Sequence, residues 1–168
     1  MDPNYIRPFI ASVQNVFTTM LQLPVTVGAP TLKQPPGVGS DISGIIGMSG
    51  DVVGTVILSF PKEPAERVVA LFTGTKLEAG TPDFADAIGE LVNMISGGAK
   101  AMFSGKKASI SCPSVIIGAH HNVAIPSDTP CVSIPCTTDC GTFMIDVAIR
   151  EAGAATKSSA TAANTARS

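Results

Sequence analysis

A chain of 168 residues is long enough to close one domain around a sizeable core, and with 45% hydrophobic and only 14% charged residues it reads as globular with a low-charge surface. A formal net charge of −2, a single Tyr and no Trp exclude a nucleic-acid clamp or a base-stacking platform. No apolar run approaches the roughly eighteen residues of a membrane span, and the opening MDPNYIRPF has neither the basic start nor the apolar core of a signal peptide. The expectation is a cytoplasmic protein with no membrane and no nucleic-acid partner.

Asp2-Pro3 reads as a helix start, with Asp2 as N-cap and Pro3 at the first helical position. Ile6, Phe9, Ile10, Val13, Val16, Phe17, Met20 and Leu21 then keep a helical period, and Pro24 ends it. The other face of this helix, with Arg7, Gln14 and Thr18, holds no catalytic pair. Val25-Thr26-Val27 is a short strand, and KQPPGVGS at 33–40 is too rich in Pro and Gly for regular structure. Asp41 to Met48 and Val52 to Phe60 form a hairpin around Ser49-Gly50-Asp51. A second helix runs from Lys62 to Phe72, with Gly74 as its stop.

The third helix, Pro82 to Ser104, is the centre of the chain. Phe84, Ile88, Leu91, Val92, Ile95, Ala99 and Met102 recur as one buried stripe. At about 100° per residue, Asp86, Glu90, Asn93 and Gly97 gather on the opposite side. Glycines in a helix interior cost about 1 kcal/mol each relative to Ala. Gly89, Gly97 and Gly98, with the soft Met94, therefore point to a large body approaching this face closely. The plainer alternative is a solvated face with glycines that pack helices together.

Beyond it, Ser109 to Cys112 and Val115 to Ile117 read as one strand interrupted by Pro113, at a bulge or a sheet edge. Ala119 to Pro130, including His120-His121, reads as an exposed polar loop. Cys131 to Cys136 and Thr142 to Ile149 are the last two strands. Cys112, Cys131, Cys136 and Cys140 lack zinc-site spacing and are expected as reduced thiols in strands. Residues 151–168, rich in Ala, Ser and Thr, read as a flexible tail after a domain spanning 1–150. This order of elements predicts an α+β sandwich, with a largely antiparallel sheet and long helices packed on one face. VTVG after the first helix and SVIIG after the third hint at a degenerate two-fold repeat.

The run Asp86-x3-Glu90-x2-Asn93 within DAIGELVNMISGGAK resembles the signature of the CheC/CheX/FliY family of chemotaxis phosphatases. The hairpin DISGIIGMSGDVVGTVILSFP and the closing CVSIPCTTDCGTFMIDVAI resemble the CheX type, and the likeness spans roughly Asp2 to Ile149. The resemblance implies a CheC-like α/β sandwich that hydrolyses the aspartyl phosphate of a CheY-like response regulator. It implies one site, because the first helix has only Gln14 and Asn15 where a second Glu-x2-Asn would stand, and it implies a homodimer. Glu90 would pair with the regulator's lysine and Asn93 would orient the attacking water. Asp86, Gly89, Met94 and Gly97 would contact the partner, and the pattern's downstream proline has Pro113 as its nearest candidate. No cofactor is expected on this chain; Mg²⁺ would come with the regulator. Two other readings stay open: a non-catalytic binding module for a regulator or other signalling protein, and a dimeric structural domain.

Overall fold

The computed structural model describes residues 1–34 and 39–153. Half of the 33–40 connector (35–38) and nearly all of the 151–168 tail lie outside the described residues. Among the described residues, three α-helices and eight strands make one sandwich. In chain order they are α1 (Pro3–Val16), β1 (Thr26–Val27), β2 (Thr31–Leu32), β3 (Ser40–Gly50), β4 (Val52–Phe60), α2 (Lys62–Thr73), α3 (Pro82–Lys100), β5 (Ala108–Ile110), β6 (Ser114–His121), β7 (Val132–Thr138) and β8 (Gly141–Glu151).

The expected α+β sandwich is the fold found. Every strand pair is antiparallel, and the sheet runs β1-β7-β8-β4-β3-β5, with β2 also on β7 and β6 also on β3. Strand pleating sends alternate residues to opposite faces. Ile42, Ile46, Val56, Leu58, Phe60, Ile145, Val147 and Ile134 face one way into a single core with all three helices. Phe17, Phe60 and Phe143 stack through it at centroid spacings of 4.9 and 5.0 Å.

Several expectations shift in detail. Asp2 caps α1 by accepting from the Asn4 N–H at 2.8 Å, but the helix loosens into a π turn over Phe17–Leu21. Gln22, in the left-handed conformation at φ 52°, ends it two residues before Pro24. The strand interrupted by Pro113 is two strands, β5 and β6, which pair with β3 in succession. Between the pairs Met48–Ile110 and Ile45–Ser114, the three residues Ser111, Cys112 and Pro113 stand against two on β3, so the chain bulges there. The bulge is pinned where the Gly47 N–H donates to Ser111 Oγ and the Ser111 N–H donates to the Gly47 carbonyl, both at 2.9 Å.

The histidines are not in a loop; they close β6, and His121 Nε2 lies 2.7 Å from Ser43 Oγ. Of the four thiols only Cys136 lies within a strand; Cys112 is in the bulge, Cys131 just precedes β7, and Cys140 is in the β7–β8 turn. Glu151, expected to begin the tail, ends β8 and accepts from the Tyr5 hydroxyl at 2.7 Å.

The sheet order is symmetric end to end. The series helix, two short edge strands, hairpin occurs twice: α1-β1-β2-β3-β4, then α3-β5-β6-β7-β8. Exchanging the two series reverses the sheet order onto itself, so each half's short strands close the other half's hairpin. The repeat is therefore present in the topology. However, SVIIG falls on β6, whose counterpart is β2, whereas VTVG falls on β1.

Candidate functional site on the outer face of helix α3

α3 begins where Thr81 Oγ1 accepts from the Phe84 N–H at 3.4 Å, with Pro82 inside the first turn and Asp83 favoured by the helix dipole there. Phe84, Ile88, Leu91, Val92, Ile95 and Ala99 are fully buried, as their spacing predicts. Met102 is not; the helix ends at Lys100, Met102 is 45% exposed, and Phe103 turns into the core against Tyr5 and Phe9 instead.

The glycines of this helix divide by what a Cβ would meet. At Gly98 it would sit 2.5 Å from Ser12 Oγ, where α1 crosses α3 and Ser12 donates to the Ile95 carbonyl at 2.7 Å. At Gly89 it would sit 3.1 Å from Pro113 and 3.7 Å from Val115, so Gly89 is buried beneath the bulge. At Gly97 it would meet nothing within 4 Å. Two of the three glycines thus serve the packing that the plainer alternative described. Gly89, expected at the partner surface, reaches that surface only through Pro113.

The two packed glycines mark opposite flanks of α3, with α1 on one and the β5–β6 bulge on the other. Between them a ridge faces outward. Asp86 and Glu90 are exposed on it, Asn93 and Gly97 are half-buried, and Met94 spends part of its side chain against the core. Glu90 and Asn93 are three residues apart and therefore neighbours along the ridge. Among the described residues, neither side chain has a hydrogen-bond or ion-pair partner. The pair is a carboxylate and a carboxamide held on a rigid, internally braced helix, with their polar atoms uncommitted.

Sequence reasoning missed the two braces, Ser12 on Ile95 and Pro113 on Gly89. The signal was there in part: a glycine in a helix and a proline in a strand are each costly alone, and the fold sets them against each other. A separate cleft lies elsewhere, on the helix-free face of the sheet. This cleft of about 470 Å³ is lined by two polar clusters, Ser43, Ser59 and His121 on one side and Lys33, Ser133 and Asp146 on the other. Lys33 Nζ lies 2.6 Å from the buried Asp146 carboxylate, a pairing that takes up both charges. Among the described residues, no group of three or more His, Cys, Asp or Glu side chains could hold a metal ion. No helix among them is long and apolar enough to cross a membrane.

A family model for the chemotaxis phosphatase CheX matches residues 42–137, which include α3, the bulge, β4 to β6 and most of β3 and β7. The chain belongs to the CheX family. The CheY-P phosphatase CheX of Thermotoga maritima is 30% identical over 121 residues, covering 70% of this chain and 78% of that one. A CheC-like superfamily protein from a Shewanella species shares the fold with a TM-score of 0.82 and 31% identity, over 89% of this chain and 99% of that one. The CheX of Borrelia burgdorferi, solved as a complex with CheY, BeF3 and Mg²⁺, shares the fold with a TM-score of 0.75. At 24% identity over 88% of this chain and 98% of that one, it extends the likeness of fold alone.

Proposed function

We propose that this CheX-family chain accelerates hydrolysis of the aspartyl phosphate on a CheY-like response regulator, with Glu90 and Asn93 of α3 as the working pair. The observation that carries the reading is the ridge itself: a free acid and a free amide, one helical turn apart, on the helix that the family signature occupies. Glu90 supplies a charge-assisted bond to the lysine beside the regulator's phosphoaspartate, which anchors α3 over that pocket. Asn93 enters the pocket and holds a water in line with phosphorus. Its carboxamide offers both donor and acceptor and adds no negative charge beside the phosphoryl group.

The water oxygen forms the new bond to phosphorus as the bond to the aspartyl oxygen breaks. Inorganic phosphate leaves, and the regulator recovers its free carboxylate. Phosphoryl transfer needs positioning and charge compensation more than covalent help. A hundredfold acceleration asks for only about 2.7 kcal/mol, within reach of such a pair. Mg²⁺, bound in the regulator's acidic pocket, supplies charge neutralisation there. Asp86, Met94 and Gly97, with Gly89 acting through Pro113, complete the contact surface.

The test is decay of a regulator phosphorylated by a small phosphodonor, using the organism's own CheY-like proteins. Wild type should shorten the lifetime, Asn93→Ala should abolish the effect while retaining binding, and Glu90→Ala should weaken both. Binding with no acceleration by wild type would make the chain an adaptor instead. We also propose that the chain works as a homodimer joined strand to strand, because the open sheet leaves edge groups to cover. Sedimentation at micromolar concentration should give twice the monomer mass; a monomer refutes it.

A further inference from the structure

We infer that Gly97 is where the partner's main chain rests on α3, so that the missing side chain at this position governs how tightly the regulator docks. The inference rests on the function proposed above and adds the residue that sets affinity.

A helix-interior glycine without an internal reason is a standing cost, about 1 kcal/mol relative to Ala. Gly89 and Gly98 have internal reasons in Pro113 and Ser12. Gly97 has none: its backbone is ordinary helix, and a Cβ there would find open space. It lies one turn beyond Asn93 on the same outward ridge, midway between the flanks set by α1 and the bulge. Nothing in the described chain requires the side chain to be absent, so the requirement comes from outside.

The repeat provides an internal control. Counting from the N-caps Asp2 and Thr81, the buried positions of α1 and α3 coincide: Tyr5 with Phe84, Phe9 with Ile88, Val13 with Val92 and Val16 with Ile95. On that register Glu90 and Asn93 fall on Ala11 and Gln14, while Gly97 falls on the exposed Thr18, in the π turn that follows α1. The half without the acid–amide pair has a branched residue in a π turn at this count, where the half with the pair keeps regular helix and a glycine. The bare position goes with the site and not with the fold.

An adjacent bare patch lets a peptide backbone come within van der Waals distance of the helix, which brings Asn93 deeper into the facing pocket. A methyl at Gly97 holds the partner off by part of an ångström, and a longer side chain blocks it.

The experiment titrates wild type, Gly97→Ala and Gly97→Leu with the beryllofluoride-loaded receiver domain of each CheY-like regulator of the organism. Thermal unfolding is measured on the same samples. The inference expects a midpoint at or above wild type for Gly97→Ala, affinity at least tenfold weaker for Gly97→Leu, and an intermediate loss for Gly97→Ala. In turnover, KM should rise for Gly97→Ala. Equal binding by all three proteins overturns the inference and leaves the phosphatase reading standing. Glycine-dependent binding without any hydrolysis upholds the inference and overturns that reading. Wild type that binds no receiver overturns both.

Discussion

On the proposed reading, Asn93 and Glu90 work through their position on an exposed helix ridge. The ridge offers them an open setting with no competing partner among the described residues. The cysteines show the opposite situation. Burial pushes the Cys136 thiol up to about 12. Burial, then the neighbouring Asp146 carboxylate, pushes Cys131 up to about 11. Cys140 is raised by burial as well, while Cys112 is exposed on the bulge. Thiolate is the reactive form, so an aromatic disulfide reagent at pH 8 should titrate one thiol quickly and three only on unfolding. Two or more fast thiols in the native protein would contradict this burial pattern. The acid and the amide were legible in the sequence because each needs only its own spacing on a helix. Which glycine was free was not legible, because the answer lies in Ser12 and Pro113, distant in sequence and adjacent in space.

At the scale of elements, a strand residue caps a helix. α2 has no capping side chain of its own at Pro61. Asp41 at the start of β3 accepts from the Lys62 N–H at 2.9 Å and from the His120 N–H at 3.2 Å. These two backbone donors hold its carboxyl below the usual aspartate range. Because the folded value is depressed, the stabilisation is fully present above the unfolded value of about 3.9 and is lost as pH falls through the folded one. Asp41→Asn should therefore lower the urea midpoint at pH 7, and the gap to wild type should close as pH falls toward 3. A gap that stays constant would remove Asp41 from the acid response. Periodicity placed α1, α2 and α3 to within a few residues, and turn residues placed the hairpins. The short strand expected at Val25–Val27 is β1, but β2 and the division of β5 from β6 depend on edge pairing with β7 and β3, which no local pattern specifies. Met102 fails as a core residue for a similar reason: the helical period continues on paper after the helix has ended.

For the molecule as a whole, the reciprocal sheet order sets a repeated architecture beside a single copy of the acid–amide pair. α1 and α3 do the same packing work, but α1 presents Arg7, Ala11 and Gln14 where α3 presents Asp86, Glu90 and Asn93. Burial holds the inner faces of both helices alike and leaves the outer ones free to diverge. The repeat could be glimpsed in VTVG and SVIIG, but its register could not, since the halves correspond through strand pairing and not through those four- and five-residue strings.

That reciprocity also governs how the chain can be taken apart. Because β5 and β6 complete the first hairpin and β1 and β2 complete the second, neither portion owns a finished sheet. Nicking the backbone between Gly74 and Gly80, where both glycines are exposed and no strand pairing is cut, should give two pieces that are each unstructured by circular dichroism. Mixed, they should recover the native spectrum in a one-to-one ratio. Either piece folding alone would show that the clasp is ornamental. Recovery only on mixing would show two interlocked pieces, each the template for the other.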